Sequence, residues 1–265
     1  MTSMTSEALS LTPRVTLVRA NNPSPMTLKG TNTYLLREPG SRGVVVVDPG
    51  PLDEQHLHRI LELASHDDGY VALVLFTHWH VDHTESIDRF SEMTGAPARA
   101  FDAKWCRDAQ PLTDAELLEV DGLHVRVLCT PGHTMDSVCF VLPAEASLLA
   151  GDTVLGTGTT VIAHPDGALA PYLESLQRIR SEIEAGDVQH ILPGHGPFID
   201  SPLEVIDGYI AHRHDRLQQV RDALDAGDRT AREVVERVYA NVDRSLWGAA
   251  EWSVRAQMEY LSVKE

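Results

Sequence analysis

Short apolar runs bounded by glycine and proline recur along the first 200 residues, and their period alternates between strand-like and helix-like. Strands are predicted at Val15–Arg19, Tyr34–Arg37, Val44–Asp48, Val71–Phe76, Leu123–Leu128, Val138–Leu142, Ser147–Ala150 and Gln189–Leu192. Helices are predicted at His56–Ser65, Thr84–Met93 and Tyr172–Glu184. Strands followed by helices in each half of this region indicate a layered α/β fold.

After residue 200 the pattern is helical throughout. Apolar residues at helical spacing predict a long helix over Leu203–Leu224, and Ala226-Gly227-Asp228 ends it. Thr230 is a predicted N-cap for a helix over Ala231–Tyr239, and a last helix is predicted over Leu246–Leu261. We therefore expect two units, a domain formed by residues 1–200 and a small helical module formed by residues 201–265.

The densest chemistry follows the fourth predicted strand, in the segment Thr77–His83. Alternate side chains at a strand end point to one side, so His78 and His80 can reach one point. Asp82 and His83 come after the chain has turned and are better placed for a second point nearby. Imidazole nitrogen and carboxylate oxygen are ligands that zinc prefers. A histidine-rich surface loop is the alternative interpretation of this segment taken alone.

Three later strands each end in a glycine or proline turn that presents one further potential ligand. These ligands are His133, Asp152 and His195. In layered α/β folds, loops at strand ends are the usual place where sites are assembled. The seven side chains are enough for two metal ions with Asp152 between them.

The order of these residues, HxHxDH followed by a single His, Asp and His, resembles that of the metallo-β-lactamase-fold hydrolases over about residues 14–200. Further stretches are similar to the lactamase-like endoribonuclease group within that superfamily. These stretches are Thr31–Tyr34, Thr77–His80, Gly156–Val161, Pro193–Pro197 and Tyr209–Arg213.

The resemblance implies an αββα four-layer sandwich followed by a winged-helix-like C-terminal module. It implies that His78, His80 and His133 hold one metal, that Asp82, His83 and His195 hold a second, and that Asp152 bridges them. Two Zn²⁺ ions are expected, with other divalent metals possible. A hydroxide shared by the two ions would attack a phosphorus or carbonyl centre, and Asp82 would orient the attacking water as the catalytic residue.

Three residues are candidates for binding substrate. Thr159 lies in the loop Gly156–Thr160, where two glycines let the backbone approach a ligand closely. His212 and Arg213 lie on the long helix after His195, where the imidazole could donate a proton and the guanidinium could take a phosphate. The alternatives are a tight turn that starts the next strand for Thr159 and a solvated helix face for the other two.

Two substrate classes follow from the resemblance. The first is single-stranded RNA, cleaved by a phosphodiesterase (endoribonuclease) reaction, and the second is a small ester or thioester, as for glyoxalase II. Weak β-lactamase activity at most is expected, because class B1 β-lactamases carry cysteine where this chain has Asp152. His80 stands where the di-iron flavoproteins of this fold carry glutamate, which disfavours oxygen chemistry. A binding module with a degenerate site is a weaker third hypothesis, since all seven ligands are present.

Charge and composition limit the partners. The 265 residues carry a formal net charge of −17, so strong binding to duplex nucleic acid is not expected. The C-terminal module is predicted to dock or to cover the substrate. No membrane partner is expected, because the apolar runs are strand-sized and the first ten residues lack a signal-peptide pattern. Cys106, Cys129 and Cys139 show no CxxC spacing and are interpreted as reduced thiols of a cytoplasmic protein. The sequence leaves the oligomeric state open.

Overall fold

The chain folds into two β-sheets and seven α-helices over the residues that the computed structural model describes, 8–162 and 164–264. Most of the N-terminal segment interpreted above as lacking a signal peptide, residues 1–7, lies outside this range. The strands are β1 (Ala8–Ser10), β2 (Val15–Arg19), β3 (Asn32–Leu36), β4 (Gly43–Val47), β5 (Tyr70–Leu75), β6 (Ala98–Arg99), β7 (Leu117–Val120), β8 (Leu123–Cys129), β9 (Val138–Leu142), β10 (Ser147–Gly151) and β11 (His190–Pro193). The helices are α1 (Glu54–Ala64), α2 (Val81–Thr84), α3 (Ile87–Thr94), α4 (Leu169–Ala185), α5 (Pro202–Asp225), α6 (Ala231–Val238) and α7 (Trp247–Lys264).

The two sheets face each other as the inner layers of a four-layer sandwich. The first has the order β1-β2-β3-β4-β5-β6 and the second the order β11-β10-β9-β8-β7. Val45 and Val47 on β4 point into the core between the sheets, whereas Val44 and Val46 point outward to α1 and α3. A strand covered on both faces can be apolar at every position, which explains the unbroken valine run.

The outer face of the second sheet is covered by α4 and the three helices of the tail. One continuous core joins Leu148 of β10, Leu176 of α4, Val220 of α5, Val234 of α6 and Val254 of α7. From residue 202 onward, the described residues form helices and turns and no strand. The αββα sandwich with a helical C-terminal module is therefore confirmed.

The predicted strands and helices lie within a few residues of the observed ones, with exceptions. The expected single helix Thr84–Met93 is wrong, because the chain forms two helices, α2 and α3, on either side of Ser86. The Ser86 hydroxyl donates to the Gly50 carbonyl at 2.8 Å, and its backbone N–H donates to the same oxygen. These bonds anchor Ser86 to a neighbouring loop at the position where the helix is interrupted.

Within the described ranges, no helix combines the length and the apolarity that crossing a membrane requires.

Candidate metal centre and substrate cleft

The ends of five strands meet at one edge of the sandwich, and each is followed by a polar side chain. Asp48 follows β4, the His78–His83 segment follows β5, His133 follows β8, Asp152 follows β10, and His195 follows β11. β4 pairs parallel to β5 and β10 pairs parallel to β11, so the ends of each pair lie side by side. The alternation of strands and turns in the sequence thus brings the seven predicted ligands together.

The predicted ligands form two adjacent groups. In the first, His80 Nδ1 lies 3.0 Å from both His78 Nε2 and His133 Nε2. In the second, Asp82 Oδ2 lies 3.1 Å from His195 Nε2 and 3.4 Å from His83 Nε2. Four ligands placed about 2 Å from a tetrahedral ion are about 3.3 Å apart, so each group has the dimensions of a metal site.

Asp152 lies between the two groups. Its Oδ2 is 3.3 Å from His195 Nε2 and 3.8 Å from His133 Nε2, and its Oδ1 is 3.5 Å from His83 Nε2. One carboxylate therefore faces a histidine from the first group and two from the second.

Two buried atoms in the centre lack a hydrogen-bond partner. They are His83 Nε2 and Asp152 Oδ1, which face each other. A buried polar atom without a partner costs about 1–3 kcal/mol, and a cation between these two would serve both. The donor chemistry and the spacing fit two divalent metal ions.

In His83 and His133 the ring nitrogen that faces away from the centre, Nδ1, makes a hydrogen bond to a neighbouring oxygen. His83 Nδ1 donates to Asp48 Oδ2 at 2.8 Å, and His133 Nδ1 donates to the Val161 carbonyl at 2.5 Å. Such bonds fix the tautomer, so that Nε2 presents its lone pair to a metal. Asp48 itself accepts from the backbone N–H and hydroxyl of Thr77 at 2.8 and 2.7 Å.

The sequence pattern predicts Asp48 only as the last residue of a strand. A carboxylate in Asp-Pro-Gly directly after a buried strand was the available signal.

The stretch Thr31–Tyr34 supports the predicted ligands through hydrogen bonds. The Thr31 hydroxyl donates to Asp82 Oδ2 at 3.1 Å, and the Asn32 side-chain amide donates to the carbonyls of Pro193 and Gly196, which flank His195.

Each ionisable group in the centre shifts the pKa values of its neighbours. Burial opposes ionisation of Asp82, but the nearby His83 and His195 outweigh it and lower the pKa of Asp82 to about 2. Burial also opposes protonation of His195, but Asp152 and Asp82 raise the pKa of His195 to about 9. Burial and the neighbouring His133 lower the pKa of His80 to about 4. The Asp82 carboxylate of the second group is thus ionised and available to a cation, whose binding would displace the proton of His195.

A cleft of about 330 Å³ opens beside the predicted metal ligands His133 and Asp152. The three predicted substrate residues, Thr159, His212 and Arg213, all line it. Thr159 is half-buried, and no strand begins in its loop. Gly156 of the same loop packs against Pro197, where a Cβ atom would lie 2.2 Å from the Pro197 carbonyl oxygen.

Arg213 is buried and His212 is half-buried, so the two residues do not form a fully solvated helix face. Arg213 is 3% exposed, its Nη2 donates to the Thr160 carbonyl, and its guanidinium lies 5.0 Å from the centre of the Tyr172 ring. His212 Nε2 accepts from Arg216 Nε at 3.4 Å. Burial and the two neighbouring arginines lower the pKa of His212 to about 4, so its ring is neutral at pH 7.

Trp79 lies next to the first group of ligands. Its ring centre is 4.6 Å from that of His80, edge to face, and its Nε1 donates to Asp166 at 2.9 Å. The indole therefore packs against the predicted ligand His80.

Comparisons with known proteins agree with this geometry. Residues 26–195 match the metallo-β-lactamase superfamily, and residues 230–263 match the β-lactamase-associated winged helix domain. A β-lactamase-like protein 2 homolog of Drosophila melanogaster is 34% identical, over 95% of this chain and 88% of its own. An atrochrysone carboxyl ACP thioesterase of Aspergillus fumigatus is 34% identical, over 84% of this chain and 69% of its own. A crystal structure of a metallo-β-lactamase family protein from Thermus thermophilus superposes with a TM-score of 0.78 at 24% identity, over 96% of this chain and 95% of that one.

Proposed function

Because this chain belongs to the metallo-β-lactamase superfamily and carries both groups of metal ligands, it is a metal-dependent hydrolase, and we propose that its substrate is a small ester or thioester with an apolar acyl group. When bound, the metals supply Lewis acidity and lower the pKa of a water molecule at the site. Asp82, ionised and anchored by Thr31, orients the attacking water. Asp152 lies within 3.8 Å of both His133 and His195, where its carboxylate would ligate both metals.

The apolar lining of the cleft is the observation that supports an acyl substrate. Apart from the polar groups next to the predicted ligands, its walls come from the 25–28 loop, from the segment 155–161 and from the C-terminal module. The apolar side chains are Pro25, Met26, Leu28, Leu155, Val161, Val242, Leu246, Ala249 and Ala250. A largely apolar pocket with a few converging polar groups suits a small acyl group better than a polyanion.

The cations at the cleft are already engaged within the protein. Arg213 donates to the Thr160 carbonyl, and Arg216 lies over the Tyr239 ring and bonds His212. With a net charge of −17, the protein as a whole repels a phosphate chain. The name of the Aspergillus relative, an ACP thioesterase, adds support for the same reaction class.

Phosphodiester cleavage of single-stranded RNA is the second candidate. The observation that favours it is the group His212, Arg213 and Arg216 beside the metal centre, where two guanidinium groups line one cleft. Arginine is the side chain best suited to bind phosphate through two hydrogen bonds. The resemblance to the lactamase-like endoribonuclease group points the same way.

Zinc is the proposed metal, because imidazole and carboxylate ligands suit it and leave positions open for water. We expect protein purified from zinc-supplemented cells to contain two zinc ions per chain by elemental analysis. One ion or fewer per chain would contradict a dinuclear zinc centre.

The substrate is tested with the metal-loaded protein in side-by-side assays. The substrates are S-lactoylglutathione, a series of acyl thioesters of increasing chain length, a single-stranded RNA and a chromogenic cephalosporin. We expect kcat/KM to be highest for an acyl thioester and to rise with acyl length. Preferential cleavage of the RNA would establish the second candidate instead.

A variant of the cleft makes the assay specific. Leu246→Ala removes apolar contact area from the cleft wall, so kcat/KM for the preferred acyl thioester should fall about tenfold. Leu117→Ala, at an exposed residue of β7 outside this cleft, is the matched control and should leave kcat/KM unchanged. An unchanged kcat/KM in Leu246→Ala would remove the cleft from substrate binding.

A further inference from the structure

Three consecutive residues, Thr160, Val161 and Ile162, connect the metal centre to the C-terminal module. We call them the strap. The strap follows the loop that begins after Asp152 and precedes α4. Thr160 and Ile162 are buried, so their backbone groups need partners inside the protein.

On one side the strap holds two of the predicted metal ligands. The Thr160 hydroxyl donates to the Asp152 carbonyl at 2.5 Å, and the Val161 carbonyl accepts from His133 Nδ1 at 2.5 Å. The first bond fixes the backbone of the ligand between the two groups. The second fixes the ring orientation and tautomer of His133.

On the other side the strap is held by two helices of the module. Arg213 on α5 donates from Nη2 to the Thr160 carbonyl, and Ser253 on α7 accepts from the Ile162 backbone N–H at 3.2 Å. Arg213 is itself fixed, since its buried guanidinium lies over the Tyr172 ring, and the Tyr172 hydroxyl donates to the Thr153 carbonyl at 2.8 Å. Every strap residue therefore has a partner in the metal centre, in the module, or in both.

We propose that Arg213 is a positioning residue for the metal centre, acting through the strap on His133 and Asp152. Without its guanidinium the buried Thr160 carbonyl loses its charged donor, and the strap is free to shift. A shift of the strap moves the Val161 oxygen away from His133, which then loses the bond that orients its Nε2. The C-terminal module thereby contributes to metal affinity without supplying a ligand.

A positioning role for Arg213 and a phosphate-binding role affect different measurable quantities. A guanidinium that contacts substrate affects KM and leaves metal affinity unchanged. A guanidinium that positions the strap affects metal affinity in the absence of any substrate. Loss of a partner that orients a metal-bound histidine typically weakens metal binding 10- to 100-fold.

The test measures zinc affinity of the full chain by competition with a chromogenic chelator. His133→Ala first identifies which of the two binding steps belongs to its group. In Arg213→Met, which keeps side-chain length but removes the donors, we expect that step to weaken 10- to 100-fold. Arg221→Met, on the exposed face of the same helix, is the matched control and should match the wild type. The absorption spectrum of the cobalt-loaded protein should change in Arg213→Met and not in Arg221→Met.

Two substitutions at Thr160 test the proposal in the case that Arg213→Met fails to fold. Thr160→Val removes the hydroxyl bond to Asp152 and should weaken zinc binding, whereas Thr160→Ser retains the hydroxyl and should restore it. Wild-type zinc affinity in either Arg213→Met or Thr160→Val overturns the proposal. Equal weakening in Thr160→Val and Thr160→Ser also overturns it. A wild-type chain that binds no divalent metal would instead refute the metal centre itself, whatever the substrate.

Discussion

Asp48 supports the predicted ligands without being one of them. Its two oxygens accept three hydrogen bonds, from the N–H and hydroxyl of Thr77 and from His83 Nδ1. It is almost fully buried and has a φ of 50°, a conformation that Asp tolerates better than most residues. The carboxylate thus couples the start of the histidine segment to one of its ligands.

Asp48→Asn tests this coupling. An amide presents one oxygen and one NH₂ group, so its nitrogen must face a donor, either the Thr77 N–H or His83 Nδ1–H. We expect zinc affinity to fall 10- to 100-fold, measured by chelator competition. Asp121→Asn is the control, because Asp121 accepts from Gly43 N–H at the opposite end of β4. Equal affinity in the two variants would show that Asp48 does not orient His83.

Asp82→Ala tests the catalytic role of that carboxylate. Its pKa of about 2 keeps it ionised at neutral pH, so it can accept a hydrogen bond from the attacking water. We expect kcat to fall about 10²- to 10⁴-fold while the circular dichroism spectrum stays native. Asp88→Ala, an exposed carboxylate on α3, should keep wild-type kcat. Near-normal turnover in Asp82→Ala would exclude Asp82 from the mechanism.

Helix α1 shows how one element links local sequence to the sheet below it. Asp53 caps its N-terminus by accepting from the N–H groups of Gln55 and His56. Leu57, Ile60 and Ala64 recur at helical spacing and pack on the outer face of the first sheet. His56 belongs to the same buried face, and its Nε2 lies 3.0 Å from the Thr33 hydroxyl on β3.

Burial of His56 predicts a pH dependence of stability. Burial lowers its pKa in the folded protein to about 4, whereas an unfolded histidine has a pKa of about 6.5. Between these values the unfolded chain binds more protons, so the free energy of unfolding decreases as pH falls from 6.5 to 4. The difference in the pKa of His56 between the folded and unfolded states contributes roughly 3 kcal/mol to the free energy of unfolding. This contribution is fully present above pH 6.5 and is lost as the pH falls to 4.

The measurement is urea unfolding at several pH values for wild type and His56→Gln. The difference between the two curves should become smaller as the pH falls through this range, because only the wild type carries the histidine penalty. His58→Gln, exposed on the same helix, should follow the wild type. Parallel curves for wild type and His56→Gln would contradict the assignment.

At the scale of the whole molecule, the C-terminal module and the second sheet share one core. Leu176 and Ile179 of α4 belong to the same buried cluster as Ile206, Val220 and Val254 of the module. The module also forms a wall of the cleft beside the predicted ligands. The two predicted units, residues 1–200 and 201–265, therefore share one continuous apolar core.

This shared core predicts that the chain unfolds as one unit. We expect a single transition in calorimetry of the metal-free protein, with equal van't Hoff and calorimetric enthalpies. A chain ending at residue 200 should aggregate or remain partly unfolded, because the outer face of the second sheet and α4 would be exposed. Two separate transitions, or a stable truncated chain, would show that the module is independent.

Local sequence determined the elements and the identity of the ligands. Strand and helix periods depend on neighbouring residues, so the long elements could be predicted from the chain alone. The spacing within His78–His83 is short enough that backbone geometry already directs His78 and His80 to one side. The short strands β1, β6 and β7 escaped prediction, and β1 and β6, with three and two residues, carry too little periodicity.

Only the tertiary structure decided what surrounds those ligands. Asp48 meets His83 across 35 residues, and Arg213 meets Thr160 across 53. Sheet register and helix packing set these contacts, and no local pattern encodes either of them. The sequence placed Arg213 at the active site because of its chemistry, but the packing of α5 against the strap gives its guanidinium a partner inside the protein. Local sequence thus specifies the predicted metal ligands, and the fold specifies the residues that support them.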